Sequence, residues 1–97
     1  MKPSIALELH REDIRRIVAA NDAANPRVFG SASRGEDTGS SDLDILVDPI
    51  DGKTTLFSIV RIKREIERVL GVRADVLTPQ SIHERYRNAV LQEVKMV

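Results

Sequence analysis

Apolar residues in the first quarter of the chain fall at helical intervals. Leu7, Ile14, Ile17 and Val18 share one helical face through about Ala23, the mark of a helix with one buried stripe. Ser4, directly after Pro3, is placed to cap it. "NP" at 25–26 breaks the pattern. "RVFG", 27–30, then reads as a short strand. "SASRGEDTGSS" reads as a polar turn, with a short helix starting near Ser31 or Ala32. "DLDILV", 42–47, is apolar and β-branched enough for a second strand. A long helix follows from about Thr55 to Leu70. Its stripe is Ile59, Ile62, Ile66, Val69 and Leu70, and Gly71 fits its C-terminal cap. "VRADVLT", 72–78, predicts a third strand. Thr78 and Pro79 suit the start of a last helix marked by Ile82, Tyr86, Ala89, Val90 and Val94. The order α, β, short α, β, α, β, α predicts an α/β (α+β) fold in a single domain over 1–97, a small sheet with helices packed on it.

Against this pattern the second strand holds an anomaly. Side chains alternate along a strand, so Asp42 and Asp44 share one face while Leu43, Ile45 and Val47 take the other. The apolar face can be buried under helices, which leaves the aspartates on an open face or cleft. Asp75 repeats the motif in the third strand, between Ala74 and Val76. If the two strands are neighbours, three carboxylates can converge. Two carboxylates about 6 Å apart repel by about 3 kcal/mol at an effective dielectric near 20, and by less than about 1 kcal/mol in water. Where water is partly excluded, a divalent cation removes that cost, and hard oxygen ligands suit Mg2+ or Mn2+. A polar strand face is the plainer alternative for an isolated Asp-x-Asp. A calcium loop of the EF-hand kind is excluded, because Ile45, Leu46 and Val47 stand where ligands and the turn glycine belong.

Upstream, Gly30 and Ser31 close the first strand. Glycine lets a ligand approach the backbone closely. Free N–H groups at a following helix start, with the Ser31 hydroxyl, suit a phosphate. Arg34 lies one turn on and can reach phosphate or brace an acid. "GSASRG" has the glycine spacing of a P-loop, but Glu36 and Asp37 replace the lysine and hydroxyl residue that motif needs. A plain strand-to-helix turn explains most isolated Gly-Ser pairs; Gly-Ser followed after ten residues by Asp-x-Asp is a much narrower pattern.

Composition narrows the possibilities. The chain has 97 residues, no cysteine, three aromatic residues, and fifteen basic against fifteen acidic residues. Disulfides, thiolate metal sites and cysteine nucleophiles are excluded. Few stacking platforms and zero net charge argue against direct nucleic-acid binding. No run reaches the length of a membrane span, and the N-terminus lacks a signal-peptide core, so a cytoplasmic protein is expected. The balance of charge hides an acidic block, six acids and no base over 36–51, and a basic helix stretch "RIKREIER", read as a solvated face.

Gly30-Ser31, ten residues, then Asp42-x-Asp44 resembles the signature of the polymerase-beta-like nucleotidyltransferase superfamily. "FGSASRGEDTGSSDLDILVD" and "ADVLTP" look like its minimal nucleotidyltransferase (MNT) branch, over about 27–79. The resemblance implies a small mixed sheet with helices on one face. It implies Gly30, Ser31 and Arg34 on the triphosphate, Asp42 and Asp44 on Mg2+ or Mn2+, and Asp75 completing the acceptor-side metal and helping to deprotonate the acceptor. It further implies ATP as substrate and, as for many MNT proteins, an antitoxin role: transfer of AMP to a tyrosine of a cognate HEPN ribonuclease toxin. The alternatives are a non-catalytic antitoxin that neutralises its partner by binding, or transfer to another hydroxyl on a protein, small molecule or RNA. His10 and His83, far apart, are expected to serve surface or helix packing, and Glu36 and Asp37 to cap or line the turn.

Overall fold

A computed structural model describes residues 1–97. Four strands, β1 (Ala23–Phe29), β2 (Leu43–Pro49), β3 (Ala74–Leu77) and β4 (Lys95–Met96), form one sheet in the order β3-β2-β1-β4. β1 pairs antiparallel with β2 and β4, and β2 runs parallel to β3, so the sheet is mixed. Five helices accompany it: α1 (Pro3–Leu9), α2 (Arg11–Ala20), α3 (Gly30–Arg34), α4 (Leu56–Leu70) and α5 (Glu84–Glu93).

The parallel pair needs a crossover, and α4 supplies it. Thr55 and Ser58 exchange capping hydrogen bonds at its start, and Gly71 ends it at φ +71°, the cap the sequence predicts. Ile62, Ile66 and Leu70 of α4 and Ile14, Ile17 and Val18 of α2 pack on Val28, Leu43, Ile45, Val47, Ala74 and Val76. This layer is the main core. A smaller cluster of Phe29, Leu46 and Ile82 lies on the opposite sheet face, joined by Leu77 and by Val90 and Val94 from α5 and its end. The aspartates share that second face, beside the part that α5 covers.

Several boundaries differ from the sequence reading. The first helix is two, broken at His10, whose backbone sits at φ −129°, ψ 27°. Buried Ala6 and Leu7 on one side and Ile14, Ile17 and Val18 on the other stay in helical phase across the break, which hides it from the pattern. Ser4 is not the cap; Lys2 holds the N-cap position, and Ser4 donates its N–H to Asp37 Oδ2 at 2.8 Å. Asp37, 5% exposed, thus closes the start of α1 from 33 residues away.

"NP" does not end structure but lies inside β1. Asn25 adopts φ +57°, and the pairing with β2 slips between Ala24 and Arg27. A bulge of this kind is where a strand tolerates proline. Past it, Arg27 pairs with Asp48 at 3.0 Å, and Asp48 belongs to the strand rather than to the loop after it. β2 starts at Leu43, one residue after Asp42, and β3 is shorter than 72–78. Thr78 and Pro79 open a 3-10 turn over Pro79–Ser81 instead of the last helix. Ile82 then drops into the small cluster, and α5 starts afresh with the His83 ring accepting the Arg85 N–H at 3.0 Å. Val94 is outside α5, and β4 follows it.

Candidate active site

Strand register brings the predicted acids together. Asp44 of β2 stands opposite Asp75 of β3 in the parallel pair and opposite Phe29 of β1 in the antiparallel one. Registered neighbours face the same side of a sheet, with strands about 4.8 Å apart. Asp42 precedes β2 by one residue and lies two before Asp44, on the same side.

Gly30 meets Asp44 directly. It opens α3 at φ +71°, and a Cβ built there would lie 2.2 Å from Asp44 Oδ2. No other residue fits: the backbone angle disfavours a side chain and the carboxylate already fills its place. Ser31 follows in the same turn, half-buried. Arg34 ends α3 and forms ion pairs with Glu36 at 2.7 Å and Glu93 at 2.9 Å.

The electrostatics are those of crowded acids. Burial, then Asp75, Asp42 and Glu93 together push the Asp44 carboxyl up to about 6, against a smaller opposing effect of Arg34. Asp42 Oδ1 is shielded from solvent and receives no hydrogen bond. The Arg73 Nε lies 3.0 Å away, close enough for charge attraction but with its N–H aimed elsewhere. Asp75 has Lys63 Nζ at 4.0 Å. No three ligand groups converge on one point in this arrangement.

The donor set nevertheless fits a hard divalent cation. Asp42 offers a shielded, unsatisfied oxygen, Asp44 carries charge at a cost, and all the donors are carboxylate oxygens. Rotation of Asp42 and Asp75 away from two exposed cations is an inexpensive move, since surface ion pairs contribute about 0–1 kcal/mol.

Two participants lie beyond the sequence reading. Glu93, the last residue of α5, accepts the Gly30 N–H at 3.0 Å and the Arg34 guanidinium. Arg73 stands beside Asp42 and donates to Ser40 O. Neither belongs to a local motif; both arrive through tertiary packing. His10 bonds Asp13 and His83 caps α5, so both histidines are engaged in helix contacts. No helix is long and apolar enough to cross a membrane.

Comparison with known proteins gives this arrangement a family. A family model described as a nucleotidyltransferase domain matches residues 8–97. The protein adenylyltransferase MntA of Thermococcus cleftensis is 32% identical over 91 residues, 94% of this chain and 88% of that one. MJ0435 of Methanocaldococcus jannaschii, described as a candidate protein adenylyltransferase, is 47% identical over 66 residues, 68% of this chain and 70% of its own. A solved structure described as a candidate minimal nucleotidyltransferase superposes with a TM-score of 0.85 at 37% identity, over 97% of this chain and 95% of that one. A chain from the complex of a tri-AMPylated Shewanella oneidensis HEPN toxin with its MNT antitoxin shares the fold, with a TM-score of 0.68 at 19% identity over 92% of this chain and 69% of its own. On the match across residues 8–97 and on its likeness to these relatives, the chain belongs to the nucleotidyltransferase domain family, in its minimal branch.

Proposed function

We propose that this protein is an antitoxin that transfers AMP from ATP to a tyrosine hydroxyl of a cognate HEPN ribonuclease toxin and so silences it. The observation that carries the reading is the junction of Gly30 with Asp44 and Asp75, where a phosphate-approachable backbone meets registered carboxylates. Support for a protein acceptor comes from the relatives, which are described as protein adenylyltransferases. The fold is shared with an MNT antitoxin complex whose toxin is AMPylated.

In this reading the Gly30 N–H, the Ser31 hydroxyl and Arg34 hold the triphosphate. Asp42 and Asp44 hold Mg2+ or Mn2+, which when bound neutralises the triphosphate and lowers the pKa of the attacking hydroxyl. Asp75, on the more open β3, faces the acceptor and takes its proton. The hydroxyl oxygen forms a bond to the α-phosphorus, the bond to the bridging oxygen breaks, and pyrophosphate leaves. Asp75 is the natural acceptor-side residue because it is about half exposed, whereas Asp44 is packed under Gly30.

The test is incubation with ATP, magnesium and the toxin encoded beside this protein, followed by intact-mass measurement of both chains. A gain of one or more AMP units on the toxin, lost when its tyrosine becomes Phe, is expected. An unmodified toxin that is nonetheless inhibited would replace this reading with neutralisation by binding alone. One observation favours that second reading, the pairing of Asp42 and Asp75 with Arg73 and Lys63. The double variant Asp42→Asn with Asp44→Asn separates the two: full protection at native expression would leave no need for catalysis.

A further inference from the structure

Glu93 reaches the site from the end of α5, far from the strands and the Gly-Ser turn in sequence. Its two carboxylate oxygens divide between two donors. Oε1 accepts the Gly30 N–H at 3.0 Å, and Oε2 accepts the Arg34 guanidinium at 2.9 Å. These are two of the groups assigned above to the triphosphate. A carboxylate and a phosphate make the same demand on such a pair: an anion with separated oxygens, one facing a backbone N–H and one facing a guanidinium nitrogen. We propose that Glu93 is a built-in occupant of the triphosphate seat, and that nucleotide enters only as this side chain swings out. The inference rests on the reading that Gly30 and Arg34 bind the nucleotide's phosphates.

The surroundings fit a movable occupant better than a permanent brace. The root of Glu93 is fixed, because buried Ser33 donates its hydroxyl to the Glu93 carbonyl at 2.6 Å. The side chain beyond that anchor has three rotatable bonds and is about a quarter exposed, so it can leave without unfolding α5. Arg34 does not depend on Glu93 alone for its direction. Glu36 holds its Nε at 2.7 Å and remains when Glu93 departs. Nor does the acid cluster gain from a fourth carboxylate, since Glu93 adds to the repulsion around Asp44. An incoming polyphosphate exchanges one anion for another on the same donors, and the displaced carboxylate moves toward water.

A seat that is filled most of the time weakens apparent affinity by the fraction left open. If Glu93 occupies it about nine-tenths of the time, its removal tightens nucleotide binding about tenfold. A brace predicts the opposite sign, because a disordered Arg34 binds phosphate less well.

The experiment is calorimetric titration of ATP with magnesium into the wild type, Glu93→Ala, Glu93→Gln and Arg34→Ala, without toxin, on samples whose melting curves show a folded protein. The expected order is Glu93→Ala tightest, by about threefold to tenfold over wild type. Glu93→Gln is expected to fall between them, because the amide oxygen still accepts the Gly30 N–H but loses its charge toward Arg34. Arg34→Ala is expected to be weakest. Should Glu93→Ala not fold, the Gln variant decides: tighter binding supports the occupant, and unchanged or weaker binding overturns it. If Arg34→Ala weakens binding while neither Glu93 variant tightens it, Glu93 is a positioning residue and the inference falls while the site assignment stands. If the wild type binds no ATP, or if Arg34→Ala binds as tightly as wild type, the assignment of the seat falls and takes the inference with it.

Discussion

Replacing Asp44 by Asn removes one charge from the most crowded carboxylate of the site and keeps its size. The carboxyl is pushed up to about 6 by burial first and by Asp75, Asp42 and Glu93 next, against an ordinary value of about 3.9. A rise of about two pH units corresponds to about 3 kcal/mol between the two protonation states. Asp44 is only half-buried, so screening by solvent reduces that to about 1–2 kcal/mol. The sign follows from proton binding. Between about pH 4 and pH 6 the folded protein holds a proton on Asp44 that the unfolded chain has released, so this group's contribution is complete below that window and is lost as pH rises through it. At pH 7.5 without metal, Asp44→Asn is therefore expected to be more stable than wild type by about 1–2 kcal/mol, or about 5–10 °C in Tm for a domain of this length. At pH 4 the two should melt together. Magnesium at millimolar concentration should raise the wild-type Tm and leave the variant nearly unmoved. Urea and thermal unfolding followed by far-UV circular dichroism across pH 4–8, with and without magnesium, together measure the free-energy gap and the Tm shifts. A variant less stable than wild type at pH 7.5, or a gap that does not change with pH, would refute the claim that burial and neighbouring acids make the Asp44 charge costly in the folded protein.

Gly30→Ala forces a methyl group to within 2.2 Å of Asp44 Oδ2 at a positive φ. It should cost about 1–3 kcal/mol from the backbone alone and abolish transfer, read by chemical denaturation and by the mass assay. Asp75→Asn leaves Gly30, Arg34 and Asp44 in place. ATP affinity should stay within about twofold while transfer falls by about 10²–10⁴-fold, the usual worth of a general base; a parallel loss of ATP affinity would move Asp75 to the nucleotide side. Asp37→Ala removes the acceptor for the Ser4 N–H. Burial alone would raise the Asp37 carboxyl, but the Ser4 N–H and hydroxyl and the charge of Lys2 outweigh it and hold it low. The variant should lose about 1–2 kcal/mol at neutral pH and exchange the Ser4 amide faster, and its deficit should shrink as pH falls below the carboxylate range.

What the sequence makes legible here is what depends on neighbours along the chain. α4 is marked at both ends, by Thr55 with Ser58 and by Gly71, and its stripe is the one that packs. The alternation of Asp42 and Asp44 with Leu43 and Ile45 sorts the two faces of β2 correctly, and β3 does lie beside β2. The break at His10 is not legible, because the buried positions stay in phase across it. β4 is two exposed residues long and carries no pattern. Asp37 on Ser4 and Glu93 on Gly30 span 33 and 63 residues of sequence. Such pairs are set by how α1 and α5 dock, and no local rule places them.

The bulge in β1 has a consequence for the length of that strand. Ala24 faces Asp48, but Arg27 faces Leu46, so β1 spends three steps where β2 spends two. The extra step acts as a phase offset between two rulers. Without it, Val28 rather than Phe29 would stand opposite Asp44, and Gly30 would overshoot the carboxylate it must touch. Arg27 and Phe29 would also exchange faces with Val28, turning the guanidinium into the main core. Asn25 and Pro26 thus stand together where β2 has Val47 alone. Deleting one of the two would keep Phe29 opposite Asp44, whereas pairing both one to one with β2 would misalign the two halves of the site even though every functional side chain were still present.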